Sequence, residues 1–335
     1  MSTMKGKVCT VTGSNSGIGK ETALALASMG ATVVMVVRSR ERGEAARADI
    51  IEKTDNSLTD LMICDLSLMD SIRQFAEAFK NKYDRVDVLV NNAGAVFQNR
   101  QVTVDGFELT LAVNYLAPFL LTNELLPLLR TSAPSRVINL TSGLHKSGKI
   151  DFEDIQSEDN YNGMSAYRNA KLMIVMFTYE LARRLERTGV TVNVAHPGFA
   201  ATNLGRNTGS LRSSLMFKLM RPFQVSAKKA AETSVYLSSS LEVEGVTGKY
   251  FRRKQEATSA PVSYDTRMQK RLWDTTVELL GLARSIDDRV GTGQSQYPNI
   301  ESEAAQARKG VLANRLRSID SILNPRMQSS ERYSK

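Results

Sequence analysis

The sequence predicts an α/β fold on a doubly wound parallel sheet, a single domain with a helical extension at its C-terminal end. Three observations carry that prediction. Short apolar, largely β-branched runs recur at 8–12, 32–37, 61–64, 86–90, 136–140 and 190–195. Between them lie longer stretches with apolar residues at helical spacing, the alternation that parallel βαβ units produce. The first run ends in a glycine-rich turn that opens directly into a helix.

At 335 residues the chain can bury a sizeable core. A formal net charge of +9 and an isoelectric point near 9.5 suit a phosphate-bearing ligand, an anionic membrane surface or nucleic acid. Lys and Arg are spread without dense runs, which argues against nucleic acid. Cys9 and Cys64 sit in separate apolar runs and there are two histidines, so neither a disulfide framework nor a metal site is expected. No run approaches the roughly 18 apolar residues of a membrane span. The first residues pass straight into a strand without a secretory pattern, and the expected compartment is the cytosol.

Taken in order, the strand 8–12 leads into Gly13, Ser14, Asn15, Ser16, Gly17, Ile18 and Gly19, and a helix follows from Lys20 to Met29. Gly13 suits a tight turn, Gly17 a close approach of backbone to a pyrophosphate, and Gly19 close helix packing, with the helix N-terminus facing the phosphates. This is a dinucleotide site. The second strand closes on Arg38 and offers no carboxylate to the ribose hydroxyls. An Arg there accommodates a 2′-phosphate, so NADP(H) is the expected cofactor; Arg40 and Arg42 read as solvated.

A helix is expected from Arg42 to Lys53, a strand from Leu61 to Cys64, and a helix from Leu68 to Tyr83. Asp65, with Leu66 beside it, stands at the third strand's carboxyl end. Its carboxylate would either accept from an adenine amino group or cap the next helix. After the fourth strand, Asn91, Asn92, Ala93 and Gly94 would let the backbone pass close to the cofactor. Asn114 falls inside a long helix, 106–130, as a satisfied core amide or as the holder of a relay water.

The fifth strand delivers Thr141 and Ser142 at its carboxyl end, where open α/β sheets bind ligands; Ser142 could there hydrogen-bond a substrate oxygen. In the following helix, Tyr167 and Lys171 are four residues apart and share a face beside the apolar stripe. A phenol normally titrates near pH ~10. A neighbouring ammonium would lower that value toward working pH and make Tyr167 a proton donor. Pro197 and Gly198 end the sixth strand in a rigid turn suited to the nicotinamide end.

Together, Thr12-Gly13-x-x-x-Gly17-Ile18-Gly19, Asn91-Asn92-Ala93-Gly94, Asn114, Ser142, Tyr167-x-x-x-Lys171 and Pro197-Gly198 resemble the short-chain dehydrogenase/reductase motif set over about 4–282. The segments at Ser142–Lys146, Tyr161–Gly163, Glu180–Leu185 and His196–Gly198 are similar to the retinol dehydrogenase and WW-domain oxidoreductase branch. The resemblance implies a Rossmann fold, NADP(H), and a lipophilic carbonyl or alcohol such as a retinoid, steroid or long-chain aldehyde or ketone. It implies that Tyr167 exchanges a proton with the substrate oxygen, that Lys171 lowers its pKa and binds the ribose, that Ser142 orients the oxygen, and that Asn114 holds a relay water. It also places Thr202 among the cofactor contacts.

The segment 202–223 is rich in Leu, Met and Phe, suited to covering a greasy substrate or leaning on a membrane. A last strand is expected at 246–251 and a last helix at 265–282. Past 285, a linker precedes an amphipathic helix at 301–323. That tail would have to dock on its own domain, on a second copy of the chain or on a partner. The alternative to an enzyme is a nucleotide-binding sensor that uses this tail as its contact element.

Overall fold

The central strands form where a β-branched run can be buried on both faces, as parallel sheets require. The computed structural model describes residues 3–198 and 225–282, within one compact unit, Met1–Arg284. The strands are β1 (Val8–Thr12), β2 (Thr32–Val37), β3 (Thr59–Ile63), β4 (Val88–Asn91), β5 (Ser135–Leu140), β6 (Val190–His196), β7 (Tyr250–Arg252) and β8 (Gln255–Glu256). They lie in the order β3-β2-β1-β4-β5-β6-β7-β8. All pairs are parallel except β7–β8. The order reverses direction at β1 and β4, the switch point where such sheets bind ligands.

The helices are α1 (Gly17–Ser28), α2 (Arg40–Thr54), α3 (Met69–Lys82), α4 (Leu109–Thr131), α5 (Gly163–Arg184), α6 (Ala227–Ser239) and α7 (Thr266–Leu279). On one face Cys9, Val11, Val90, Ile138 and Leu140 pack with Leu26 of α1 and Leu237 of α6. The opposite face holds α3, α4 and α5. There, Phe119 of α4 and Phe177 of α5 meet at 5.0 Å between ring centroids, and Trp273 of α7 lies 4.8 Å from Phe119.

The structure corrects several local expectations. α4 is interrupted by a π-helical turn over Ala112–Leu116, which contains Asn114. By length and composition α4 could also cross a membrane, but its apolar stretch is mostly buried inside the fold. The last parallel strand is only Tyr250–Arg252: Gly248 at φ +68 breaks the extended run before it, and Arg253 and Lys254, both at positive φ, form the two-residue turn that reverses the chain into β8. α6 is a helix that was not among those expected. Cys9 and Cys64 are both free and buried, on β1 and just past β3, with β2 between them. The apolar segment 202–223, Thr202 and the tail 286–335 lie outside the described residues.

Candidate active site

The turn after β1 uses its three glycines differently. Gly13 has φ +66, and a Cβ there would stand 3.0 Å from Ala93 Cα. At Gly17, φ is +58 and a Cβ would enter open space. At Gly19 a Cβ would strike the Asn92 amide and come within 2.5 Å of the Gly13 carbonyl oxygen. Gly13 and Gly19 therefore close the turn onto the strand ends, while Gly17 exposes bare backbone. Ser16 caps α1 without a side-chain hydrogen bond to it, leaving first-turn N–H groups for an anion. Ser14 is fully buried with no partner for its hydroxyl and does not reach the cleft.

A cleft of about 710 Å³ runs from this turn across the strand ends. Arg38 lines it as expected, and so does Arg42, which the sequence suggested was only solvated. The reason is the cap: Ser39 accepts from Arg42 N–H and starts α2 so that its first turn faces the cleft. With its amide oxygen toward the guanidinium, Asn15 accepts from Arg42 Nη2 at 2.9 Å and joins the arginine to the glycine turn. Asp65 and Leu66 line the same region. Asp65 does not cap α3; it accepts from Ser67 N–H and Oγ, while Asp105 accepts from Met69 N–H at 2.9 Å.

Past β4, Thr12 Oγ1 accepts from both Asn92 N–H and Ala93 N–H at 3.0 Å. Asn92 returns its amide to the Thr12 carbonyl at 2.7 Å. Asn92, Ala93 and Gly94 are thus held flat along the cleft. A Cβ on Gly94 would come 2.8 Å from Asn114 Oδ1 and 3.2 Å from Lys171 Nζ, so only glycine fits. Asn114 is fully buried and lies outside the cleft lining. Its amide donates to Ala95 O and Thr110 O and its oxygen accepts from Ala95 N–H. These bonds tie the π-turn of α4 to the strand-end segment at Ala95.

Tyr167 and Lys171 line the cleft but are almost fully buried, not at the edge of the stripe, because α5 is covered nearly all round. Lys171 Nζ donates to Leu140 O at 3.2 Å and sits 5.6 Å from the Tyr167 ring centroid. Thr141 Oγ1 donates to the Lys171 carbonyl and ties the helix to the end of β5. Burial pushes Tyr167 up to about 12, opposed by a hydrogen bond with Ser142. Burial also pushes Lys171 down to about 8. The expected lowering of Tyr167 by Lys171 is therefore not seen: desolvation outweighs any help from an ammonium that faces the ring and a carbonyl. Ser142 lies outside the cleft lining but beside Tyr167, and its hydroxyl accepts from Leu144 N–H.

Pro197 lines the cleft, and Gly198, at φ +81, lies just behind it. Lys20, Ser67, Phe97 and Val113 line the cleft and were not foreseen. Lys20 follows Gly19 directly and was legible as part of the helix start; Phe97 and Val113 stand in no motif. Among the described residues, no group of three or more His, Cys, Asp or Glu could hold a metal.

A glycine turn at the switch point, with a tyrosine and a lysine across the strand ends, defines a nucleotide-dependent oxidoreductase. The short chain dehydrogenase family model matches residues 7–212, and the chain belongs to that family. Retinol dehydrogenase 13 of Mus musculus is 44% identical over 286 residues, 84% of this chain and 86% of its own. A solved but functionally undescribed protein from Mycobacterium paratuberculosis is 30% identical with TM-score 0.67, over 84% of this chain and 96% of its own. The Pseudomonas aeruginosa RhlG/NADP active-site complex is 25% identical with TM-score 0.60, over 74% and 95%. The chain is an oxidoreductase acting on CH–OH groups with a nicotinamide cofactor, in the retinol dehydrogenase branch of its family.

Proposed function

We propose that the protein uses NADP(H) to interconvert a lipophilic carbonyl and its alcohol. The observation that carries this reading is that one cleft has Arg38 and Arg42 along it together with Tyr167 and Lys171, with no carboxylate in the turn after β2. Two guanidiniums suit a 2′-phosphate, which an Asp or Glu there would repel. The bare backbone at Gly17 and the first-turn N–H groups of α1 suit the pyrophosphate. When bound, the nicotinamide gives or takes the hydride.

The chain's own groups handle the proton. With its pKa near 12, Tyr167 is protonated at neutral pH and donates to a substrate oxygen in the reducing direction. Ser142, hydrogen-bonded to Tyr167, orients that oxygen. Lys171 is mostly an ammonium at pH 7, and its charge would favour the phenolate as the proton leaves. Ala95, Phe97, Val113 and Leu140 give the cleft an apolar wall. Phe97 is fixed by a hydrogen bond from Tyr161 to its carbonyl oxygen at 2.8 Å. That wall, and the name of the mouse relative, support a retinoid-like, steroid or long-chain substrate.

The test is NADPH and NADH oxidation over a panel of aliphatic, aromatic, retinoid and steroid carbonyls. NADPH is expected to be preferred. Replacing Arg38 and Arg42 with Ala should raise KM for NADPH roughly ten- to hundredfold, the loss of one or two charge-assisted hydrogen bonds, and leave KM for NADH nearly unchanged. An equal effect on both cofactors would remove the basis for NADP(H).

A further inference from the structure

We propose that His145 and His196, the two histidines of the chain, are positioning residues for the reaction, a neutral pair that braces Ser142 and the Pro197–Gly198 turn across the reacting end of the cleft. This rests on the reading of Ser142 as the residue that orients the substrate oxygen.

His145 is fully buried in the 3₁₀ turn Gly143–Ser147. Its Nδ1 lies 2.7 Å from the Ser142 carbonyl oxygen, and its Nε2 lies 3.1 Å from the backbone N–H of Ala260. A carbonyl only accepts and an amide N–H only donates, so the ring carries its proton on Nδ1. The backbone of Ser142 is thereby tied to the segment that leads into α7. His196 has the opposite tautomer. Its Nδ1 accepts from Gly198 N–H at 3.2 Å, which leaves the proton of the neutral ring on Nε2. That Nε2 rests against Gly143, where a Cβ would come within 3.1 Å of it. Both rings lie against Tyr250 of β7, at 5.2 and 6.1 Å between centroids. A continuous brace thus joins the ends of β5 and β6.

The brace works only while both rings are neutral. A second proton on His145 would face the Ala260 N–H, and one on His196 would face the Gly198 N–H. The surroundings oppose both. Burial lowers each histidine, and Lys146 adds to that for both, with Arg252 and His145 adding to it for His196, which is held near 4. Tyr250 is the other titratable group facing the pair, and burial keeps its phenol protonated. The Ser142 carbonyl favours the charged form of His145 without reversing the direction.

The experiment compares His145→Leu, His145→Asn and His196→Asn with wild type and with Tyr167→Phe, using NADPH and the best carbonyl of the panel. In His145→Leu, kcat per NADPH-binding site should fall roughly ten- to hundredfold, the usual penalty for a misplaced group, while NADPH affinity stays within about twofold. His145→Asn retains an N–H at the Nδ1 position and should recover most of that loss. His196→Asn keeps an acceptor for Gly198 that cannot be protonated, so its kcat/KM should hold at acid pH where that of wild type falls. Unchanged kcat in His145→Leu, or Asn performing no better than Leu, or an identical acid limb in His196→Asn, would overturn the proposal while leaving the role of Tyr167 intact. If Tyr167→Phe turns over like wild type, the reading of the site fails and this proposal fails with it. Should the leucine variant not fold, imidazole ¹H–¹⁵N spectra of wild type read the tautomers directly; protons on His145 Nε2 or His196 Nδ1 would overturn the brace.

Discussion

Burial disfavours charge on both members of the Tyr167–Lys171 pair, raising one pKa and lowering the other. This has a consequence for rate. The kcat/KM profile reports the free enzyme, and Lys171 loses its proton near pH 8 there. Activity should therefore decline above about pH 8 as the ammonium that supports the phenolate disappears; an alkaline limb that begins only near pH 10 would contradict this. Asn114 makes its contribution through three buried hydrogen bonds. Asn114→Ala removes these bonds to the backbone of Ala95 and Thr110. It should cost roughly 1–3 kcal/mol, a Tm decrease of roughly 2–6 °C, read by thermal unfolding. An unchanged Tm would mean that water replaces the amide without loss.

At the scale of elements, the glycine turn separates cofactor binding from folding. Gly17→Ala places a methyl where the phosphates should approach, at a left-handed φ costing roughly 1–2 kcal/mol. Gly19→Ala drives a methyl into the Gly13 carbonyl and the Asn92 amide. Gly17→Ala should mainly weaken NADPH binding, and Gly19→Ala should mainly lower the Tm of the free protein; calorimetry and thermal unfolding separate the two, and the reverse pattern would contradict the assignment. The strands and this turn were legible because their signals are local: a β-branched run or a glycine needs no distant partner to be recognised. What escaped the sequence depends on how the elements are capped, packed and wound. Arg42 reaches the cleft through the Ser39 cap, α5 is buried all round because α7 brings Trp273 over it, and the π-turn in α4 carries no compositional mark. The histidines could have been suspected, since both stand within three residues of motif positions and the chain has no others.

Across the whole molecule, stability and function respond to acid in two separable stages. The folded pKa of His196, near 4, is below its ordinary value of about 6.5, so the unfolded chain takes up the proton first. Stability then falls as pH drops from about 6.5 toward 4. Asp87 behaves differently: burial raises its pKa, but hydrogen bonds from Arg85, Val8 N–H and Lys7 outweigh that and hold it low. Its contribution is present above roughly pH 4 and is lost below. His145, which burial also lowers, adds to the same stage. Tm should therefore begin to fall near pH 6.5, and His196→Asn should make that first stage shallower while leaving the second unchanged; a variant that follows wild type throughout would contradict it. The sheet brings the ends of six parallel strands to one cleft, so that phosphate-binding backbone and a buried tyrosine act on a single bound cofactor. The most direct test of this account is NADPH-dependent carbonyl reduction by Tyr167→Phe, with NADPH binding measured on the same sample. Turnover reduced at least roughly a hundredfold with binding retained is the predicted result, the loss expected for a general acid. Turnover near that of wild type would contradict the assignment of the proton to Tyr167 and, with it, the account of the site.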